Sequence, residues 1–331
     1  MMDEAVLRRR ALFCTVGVAV LFVAACSDRP EWIVVPQEQP AATRTLLLLT
    51  GPSTGAYAPL GRALADAYNR RLPRLHVTAQ SPEGPRGAGE NAQAVEDGKA
   101  DLGFSRADLA FQAFRRSGGG ASHLRSIAVL YTNAVHVLVR RGSGIKRGED
   151  MRGRRVQVTE DAAGGPLARF VLEAYGLTLD DVQSVDNPRN AVARLKSGEL
   201  DVRVFASAYP LPGIDDVSES SAIKLLSLAP DVVERLRSRF SFFKPTVIPR
   251  GTYRGQTADV QTVGIDGLLL CRDTMPEDLV YELTRGLFEA IHDESPAQNF
   301  TRLINTSNAP ATPVPLHPGA ARYYRERDLF R

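Results

Sequence analysis

The chain has 331 residues, 44% of them hydrophobic and 24% charged, enough for one large or two medium globular domains. Net charge is +3, and all but five of the 41 basic residues are arginine, with acids scattered among them. No basic stripe forms, so no nucleic-acid partner is expected and the charges describe a solvated mixed surface.

The N-terminus carries Arg8-Arg9-Arg10, then ALFCTVGVAVLFV, then Ala24-Ala25-Cys26. The apolar run is shorter than the ~20 residues of a membrane span, and residues 1–25 read as a secretory signal peptide. Val23-Ala24-Ala25-Cys26 resembles a bacterial lipobox. That resemblance implies cleavage before Cys26, lipidation of its thiol and a periplasmic body anchored to a membrane. Residues 26–44 are rich in Pro, Gln and Ala and read as a tether. Trp32 lies in it, resting on the membrane or on the body. Cys14 leaves with the signal, so Cys271, in GLLLC, stands alone as a buried small hydrophobe without a disulfide partner.

From Thr45 on, strand and helix patterns alternate. LLLLT predicts a strand, Ala58–Arg71 a helix, LHVTAQ a strand, and GENAQAVEDG a helix ending in glycine. ADLGFS, IAVLYT and AVHVLVRR read as separate strands, with ADLAFQAF a helix after the first. RRVQVTE is a strand, GGPLARFVLEAYG a helix closed by Gly176, ARLKSG the end of a further helix, and LDVRVFAS a strand. Such alternation predicts an α/β fold with mostly parallel sheets. One layout occurs twice, in NAQAVEDGKADLGFSRAD (91–108) and NAVARLKSGELDVRVFASAY (190–209). In each a helix opens at Asn, closes at Gly98 or Gly198, passes Asp101 or Asp201, and feeds a strand ending at Ser105 or Ser207. Two α/β lobes of related design are expected, with a ligand beyond the strand ends.

The turn TGPSTGAY after the first strand lacks the lysine of a P-loop and the order of a dinucleotide fingerprint. It offers Ser53, Thr54 and Tyr57 to an anion at a helix N-terminus, or it is simply a capped turn. TEDAAGGPLARF gives a second such turn, where Gly164 and Gly165 admit a ligand to the backbone. Arg106, at a strand end, either clamps a carboxylate in a bidentate fork or pairs with Asp108. The histidines form no metal-ligand spacing, and His136, in an apolar strand, reads as structural. No G-x-S-x-G elbow is present. No metal, no cofactor and no enzyme chemistry are expected.

The order of TGPSTGAYAPLGRALADAYN, GENAQAVEDGKADLGFSRADLAFQAF, LRSIAVLYTNAVHVLVRRGSGI, GEDMRGRRVQV, SGELDVRVFASAYPLPGI, PRGTYRGQTADVQTVGIDGLLLC and VYELTRGLFE resembles the TAXI class of TRAP-transporter solute-binding proteins, from about residue 45 to about 290. The resemblance implies a two-lobed type II periplasmic-binding-protein fold that closes on a ligand between its lobes. Lobe I would hold 45–135 and 245–331, and lobe II 136–244. It implies a monomeric receptor that hands a small carboxylate, an amino acid or dicarboxylate, to a TRAP membrane permease. The site residues carried over are Ser53, Thr54, Gly55, Tyr57, Asn91, Ser105, Arg106, Asp108, Tyr209 and Tyr253. Three departures stand out: Ala163-Gly164-Gly165-Pro166 replaces Gly-Ser-Gly-Thr, Gly87-Ala88 replaces Gly-Ser, and Arg106 replaces Gln. They imply a pocket with an added cation and a more negative ligand, or a degenerate pocket. The alternative is a lipoprotein that uses this fold for ligand sensing or scaffolding in the cell envelope. The proline-rich segment 295–331 is expected to pack across lobe I or to be a partly ordered end.

Overall fold

The computed structural model describes residues 43–51, 57–81, 90–158, 166–185, 190–211, 214, 216–218, 221–291 and 304–329. The signal peptide, Cys26, most of the tether, Ser53, Thr54, Gly55, Gly164 and Gly165 lie outside them.

The apolar run expected as the first strand forms β1 (Arg44–Leu49), and α1 (Tyr57–Arg71) follows. The α1 stripe Leu60, Leu64 and Tyr68 is buried at helical spacing. The Tyr68 hydroxyl donates to the Leu283 carbonyl at 2.9 Å. Then come β2 (Leu75–Gln80), α2 (Asn91–Glu96), β3 (Leu102–Arg106), α3 (Ala107–Arg116) and β4 (Leu124–Arg140). The middle of the chain holds β5 (Arg155–Gln157), α4 (Leu167–Ala174), β6 (Gln183–Val185), α5 (Ala191–Ser197), β7 (Val202–Ser207), β8 (Ile223–Leu225) and α6 (Pro230–Arg239). The last elements are β9 (Phe243–Ile248), β10 (Val260–Arg272), α7 (Glu277–Ile291) and α8 (Pro318–Glu326). Among the described residues no helix is long and apolar enough to cross a membrane.

The strands join in the order β2-β1-β3-β10-β4-β7-β5-β6, with β8 on β4 and β9 on β10. β1 is parallel to β2 and β3, and β5 to β6 and β7. The expected predominance of parallel pairing is corrected, because β4 and β10 run antiparallel to every neighbour. IAVLYT and AVHVLVRR, expected as two strands, are one 17-residue strand, β4. Thr132 and Asn133 interrupt the apolar pattern but not the ladder, since Asp266 and Ile265 of β10 stand opposite them.

β4 and β10 form a two-stranded ribbon through the centre, and each edge of it serves two partners in succession. On the β10 edge, β9 pairs with Val260–Ile265 and β3 with Gly267–Cys271. On the β4 edge, β7 pairs with Ala134–Val139. Farther along that strand, the chain's own end covers Ser126 and Val129 through Ser126 N–H to Pro315 O (2.8 Å), Val129 N–H to Ala309 O (2.8 Å) and His317 N–H to Ser126 O (2.9 Å). The tail thus packs on β4, and the Tyr324 hydroxyl fixes α8 by donating to Ile127 O at 2.9 Å.

One core cluster runs through both halves, with Val95 and Ala110 beside Val171, Val202 and Phe243, and two others are confined to one half each. Leu46, Leu64, Phe104, Leu130, Leu283 and Tyr324 share one cluster. Leu138, Leu195, Phe205, Ile248, Tyr253 and Val260 share another. Cys271 is fully buried with a free thiol, and burial pushes its pKa up.

The repeat read in the sequence is present in three dimensions. Gly98 (φ 72°) and Gly198 (φ 83°) both turn left-handed, where an L side chain is strained. Lys99 N–H returns to Ala94 O at 2.8 Å, and Glu199 N–H to Arg194 O at 2.9 Å. Asp101 N–H donates to Leu47 O (3.2 Å), and its carboxylate accepts from Leu47 N–H (2.8 Å). Asp201 N–H donates to Arg155 O (2.9 Å), and its carboxylate accepts from Arg155 N–H (3.1 Å). Each aspartate therefore ties the start of its strand to the neighbouring parallel strand from both directions.

Candidate functional site

β3 ends on one edge of the central ribbon, at Arg106 opposite Gly267. β7 ends on the other edge, at Ser207 opposite Ala134. The ribbon residues between these ends are Thr132–Ala134 and Gly264–Gly267. The strand order turns back at β1/β3 and again at β5/β7, so both switch points discharge toward this stretch. The register of β10 against β4 also shifts here, between Asp266 and Leu268.

Tyr57, the first residue of α1, reaches into it. Its ring lies 5.4 Å from that of Phe104 and 5.6 Å from that of Tyr131. Gly267 makes room for it: a Cβ there would stand 2.5 Å from the Tyr57 hydroxyl. That hydroxyl is buried with no acceptor for its proton, and desolvation pushes its pKa up. The Asn133 amide, on the side of its oxygen, and the Arg106 charge pull the pKa back, while Asp108 and Asp266 push it up. A buried hydroxyl with no acceptor costs about 1–3 kcal/mol, which a ligand accepting its proton would relieve.

Arg106 and Asp108 are both buried and face each other in a fork, Nε to Oδ1 at 3.0 Å and Nη2 to Oδ2 at 2.7 Å. The expectation that Arg106 adds a net cation to the pocket is corrected, because Asp108 neutralises it locally. Ser105 is fully buried, its hydroxyl donating to Arg106 O at 3.3 Å. The Asn91 amide nitrogen bonds Thr50 O and, at 2.8 Å, Phe104 O. It thereby ties the ends of β1 and β3 together. Its Oδ1 is buried and unpartnered, an orphan acceptor beside the strand ends.

On the β7 side, Ser207 and Tyr209 are half-buried, and the Tyr209 hydroxyl donates to Val247 O at 3.3 Å. Tyr253 is buried in the second core. Its hydroxyl donates to His136 Nε2 (2.8 Å) and accepts from Leu211 N–H (3.1 Å). His136 donates from Nδ1 to Ala134 O at 2.8 Å, which makes Nε2 the acceptor, and its ring stacks on Phe205 at 4.9 Å. Burial lowers the His136 pKa to about 4 and raises that of Tyr253 to about 12, so both stay neutral. The structure thus gathers Tyr57, Ser105, Arg106 and Asp108 at one strand end with Ser207 across the ribbon, and places Tyr253 inside the core as an internal tie.

Four residues at this place were not singled out from sequence. Asp266 is buried and accepts from Thr132 Oγ1 (2.7 Å) and from the Lys244 ammonium. Asn133 Nδ2 donates to Ile265 O at 3.2 Å. The signal for three of them was polar residues inside apolar runs, Thr132-Asn133 in VLYTNAVHV and Asp266 in VGIDGLLL. Among the described residues no three His, Cys, Asp or Glu side chains gather to hold a metal ion.

A TctC solute-binding protein from Polaromonas superposes with a TM-score of 0.50 at 17% identity, covering 80% of this chain and 89% of that one. The alkanesulfonate-binding protein SsuA from Xanthomonas axonopodis pv. citri, bound to MOPS, gives 0.49 at 17% identity over 86% and 85%. An ancestral arginine-binding protein bound to arginine gives 0.44 at 17% over 80% and 100%. At this identity the TctC likeness speaks for the fold alone: the two-lobed, periplasmic-binding-protein-like α/β architecture expected from the sequence. A family model described as the NMT1-like family matches residues 48–327.

Proposed function

The chain belongs to the NMT1-like family, and from that premise we propose that it is an extracytoplasmic solute receptor that binds a small carboxylate and delivers it to a membrane permease. Within this reading it is of the TAXI type, serves a TRAP transporter, works as a monomer in the periplasm and is held to the membrane by lipid on Cys26. It binds without chemistry. The two lobes are the β1–β3 half and the β5–β8 half, and closure hinges on the β4–β10 ribbon. In this reading lobe I holds 45–135 and 245–331 and lobe II 136–244.

The observation that carries this reading is the Tyr57 hydroxyl, buried with no acceptor for its proton where β3 and β7 end on opposite edges of the ribbon. An amino acid or dicarboxylate supplies the missing acceptor. The test is a thermal-shift screen of the purified protein with succinate, 2-oxoglutarate and the L-amino acids. A ligand that binds only the native state raises the melting temperature by mass action. Tyr57→Phe removes one oxygen atom and is expected to abolish that shift while leaving the ligand-free melting temperature equal or higher. A flat response across the panel overturns the receptor reading in favour of envelope sensing or scaffolding.

A further inference from the structure

Arg106 is the cation that the sequence brings forward, yet its geometry suits it poorly to meeting a ligand. Its side chain is 4% exposed and its fork closes on Asp108, which is 0% exposed. Turning the guanidinium toward a ligand would strand a fully buried carboxylate. Lys244 presents the opposite case. Its side chain is 39% exposed, while Asp266, on which its ammonium rests, is 4% exposed. An ammonium has three donors. Asp266 takes one, and among the described residues no other acceptor takes the remaining two.

The register puts Lys244 in the site. Lys244 stands opposite Gly264, Gly264 opposite Ala134, and Ala134 opposite Ser207, so one row across four strands runs from Lys244 to the end of β7. On the β10 edge, β9 begins at Phe243 opposite Ile265 and β3 stops at Arg106 opposite Gly267. Asp266 therefore faces the gap between the two strand ends, with Lys244 bonded across it. Gly264 permits the arrangement, because a Cβ there would meet Thr132 Cγ2 at 2.3 Å and Thr246 Oγ1 at 2.5 Å. The two threonines close into that space on the face that carries Asp266. Asp266 itself keeps the Thr132 hydroxyl as a second donor, so its charge stays solvated by the protein when Lys244 shares its ammonium.

We infer that Lys244 is the residue that meets the ligand's carboxylate, with Asp266 as the positioning residue that fixes the ammonium at the gap between β3 and β9. This rests on the receptor reading above. The arrangement recognises the carboxylate by a point charge with two free donors, while the Arg106–Asp108 pair forms the neutral wall behind it.

The experiment is calorimetric titration of the full chain with succinate, 2-oxoglutarate and L-glutamate, on wild type and on Lys244→Gln, Lys244→Arg and Lys99→Gln. Lys99 is exposed on the turn after α2 and pairs with Asp97. For each probe that wild type binds, Lys244→Gln is expected to lose at least tenfold in affinity. Lys244→Arg should stay within about threefold, and Lys99→Gln should match wild type. A structural role for Lys244 would show instead as a lowered ligand-free melting temperature in Lys244→Gln with affinity preserved, and that result overturns the inference. Equal affinity of Lys244→Gln and wild type overturns it as well, while leaving the receptor reading intact. Wild type binding none of the three probes overturns the inference, and binding no member of the thermal-shift panel overturns the receptor reading with it.

Discussion

The α2–β3 and α5–β7 units start alike and finish differently. Both helices close on a left-handed glycine, and both aspartates clasp the neighbouring strand through the same pair of backbone bonds. At the far ends the resemblance stops. β3 finishes in the buried Arg106–Asp108 fork, braced by Asn91, whereas β7 finishes in half-buried Ser207 and Tyr209. Asn91 is the first residue of α2, whereas its counterpart Asn190 stands just before α5 in a left-handed turn (φ 54°). The two aspartates also differ, since Asp201 holds the guanidinium groups of Arg140 and Arg155, at 2.8 Å and 2.9 Å. The start of each strand is thus a framing device that both halves need. The end of each strand is free to diverge, and the first half has spent its end on rigidity.

The comparison breaks most visibly at Asp108. Asp108→Asn leaves the Arg106 guanidinium buried beside a neutral amide, and a loss of about 3–5 kcal/mol in urea unfolding is expected. A loss below about 1 kcal/mol would mean that the β3 end is not the rigid one.

A smaller effect separates the two aspartates by pH. Burial pushes the Asp201 carboxyl up, but hydrogen bonds from Arg155 and Arg140 outweigh it and bring the pKa from 3.8 to about 2. The folded value is the lower one, so the ionised form favours the fold. That contribution, about 2 kcal/mol, is complete above the unfolded pKa and is lost as pH falls through the folded one. Unfolding midpoints taken between pH 5 and pH 2 should fall less steeply in Asp201→Asn than in wild type. Equal slopes would show that the arginine pair does not hold the carboxylate.

The smallest effect tests the likeness instead of the difference. Gly98→Ala and Gly198→Ala should each cost about 1–2 kcal/mol, because both glycines are left-handed. The added Cβ meets the Arg272 guanidinium, Nη1 at 2.8 Å, which donates to Glu96 O at 2.6 Å, in the first case and Arg140 Cδ at 3.8 Å in the second, so Gly98→Ala is expected at the upper end of that range. A larger loss for Gly198→Ala than for Gly98→Ala in a thermal melt would mean that the two helix ends are not equivalent.

Local chemistry explains what could be read in advance. The Leu run of β1, the stripe of α1, the glycine stops and the paired aspartates each announce themselves within a few residues, and all fall where expected. Tyr57, at the start of α1, and Arg106, at the end of β3, stand out in the sequence for the same reason, as polar groups at the ends of elements. Thr132-Asn133 misled, since two polar residues in an apolar run look like a turn. Their partners Asp266 and Ile265 lie far along the chain. Lys244 and Asp266 were hidden by the same distance. Asp266 shows only as a polar residue in an apolar run and Lys244 not at all, and only the register of β9 on β10 brings them together. That register is a property of two long strands pairing, which no local pattern encodes.

The tail laid along β4 has a consequence for the order in which the protein can be completed. The second core closes once Val260 has been made, but the cluster around Phe104 and Leu130 waits for Leu283 and Tyr324. Until Ala309 and Pro315 arrive, Ser126 and Val129 lack their backbone partners and that stretch of β4 is an open edge. A product of premature termination before residue 304 would therefore carry a permanent template for strand pairing with its own copies. Its fate is aggregation, and the last stretch of the sequence serves as the protection against it.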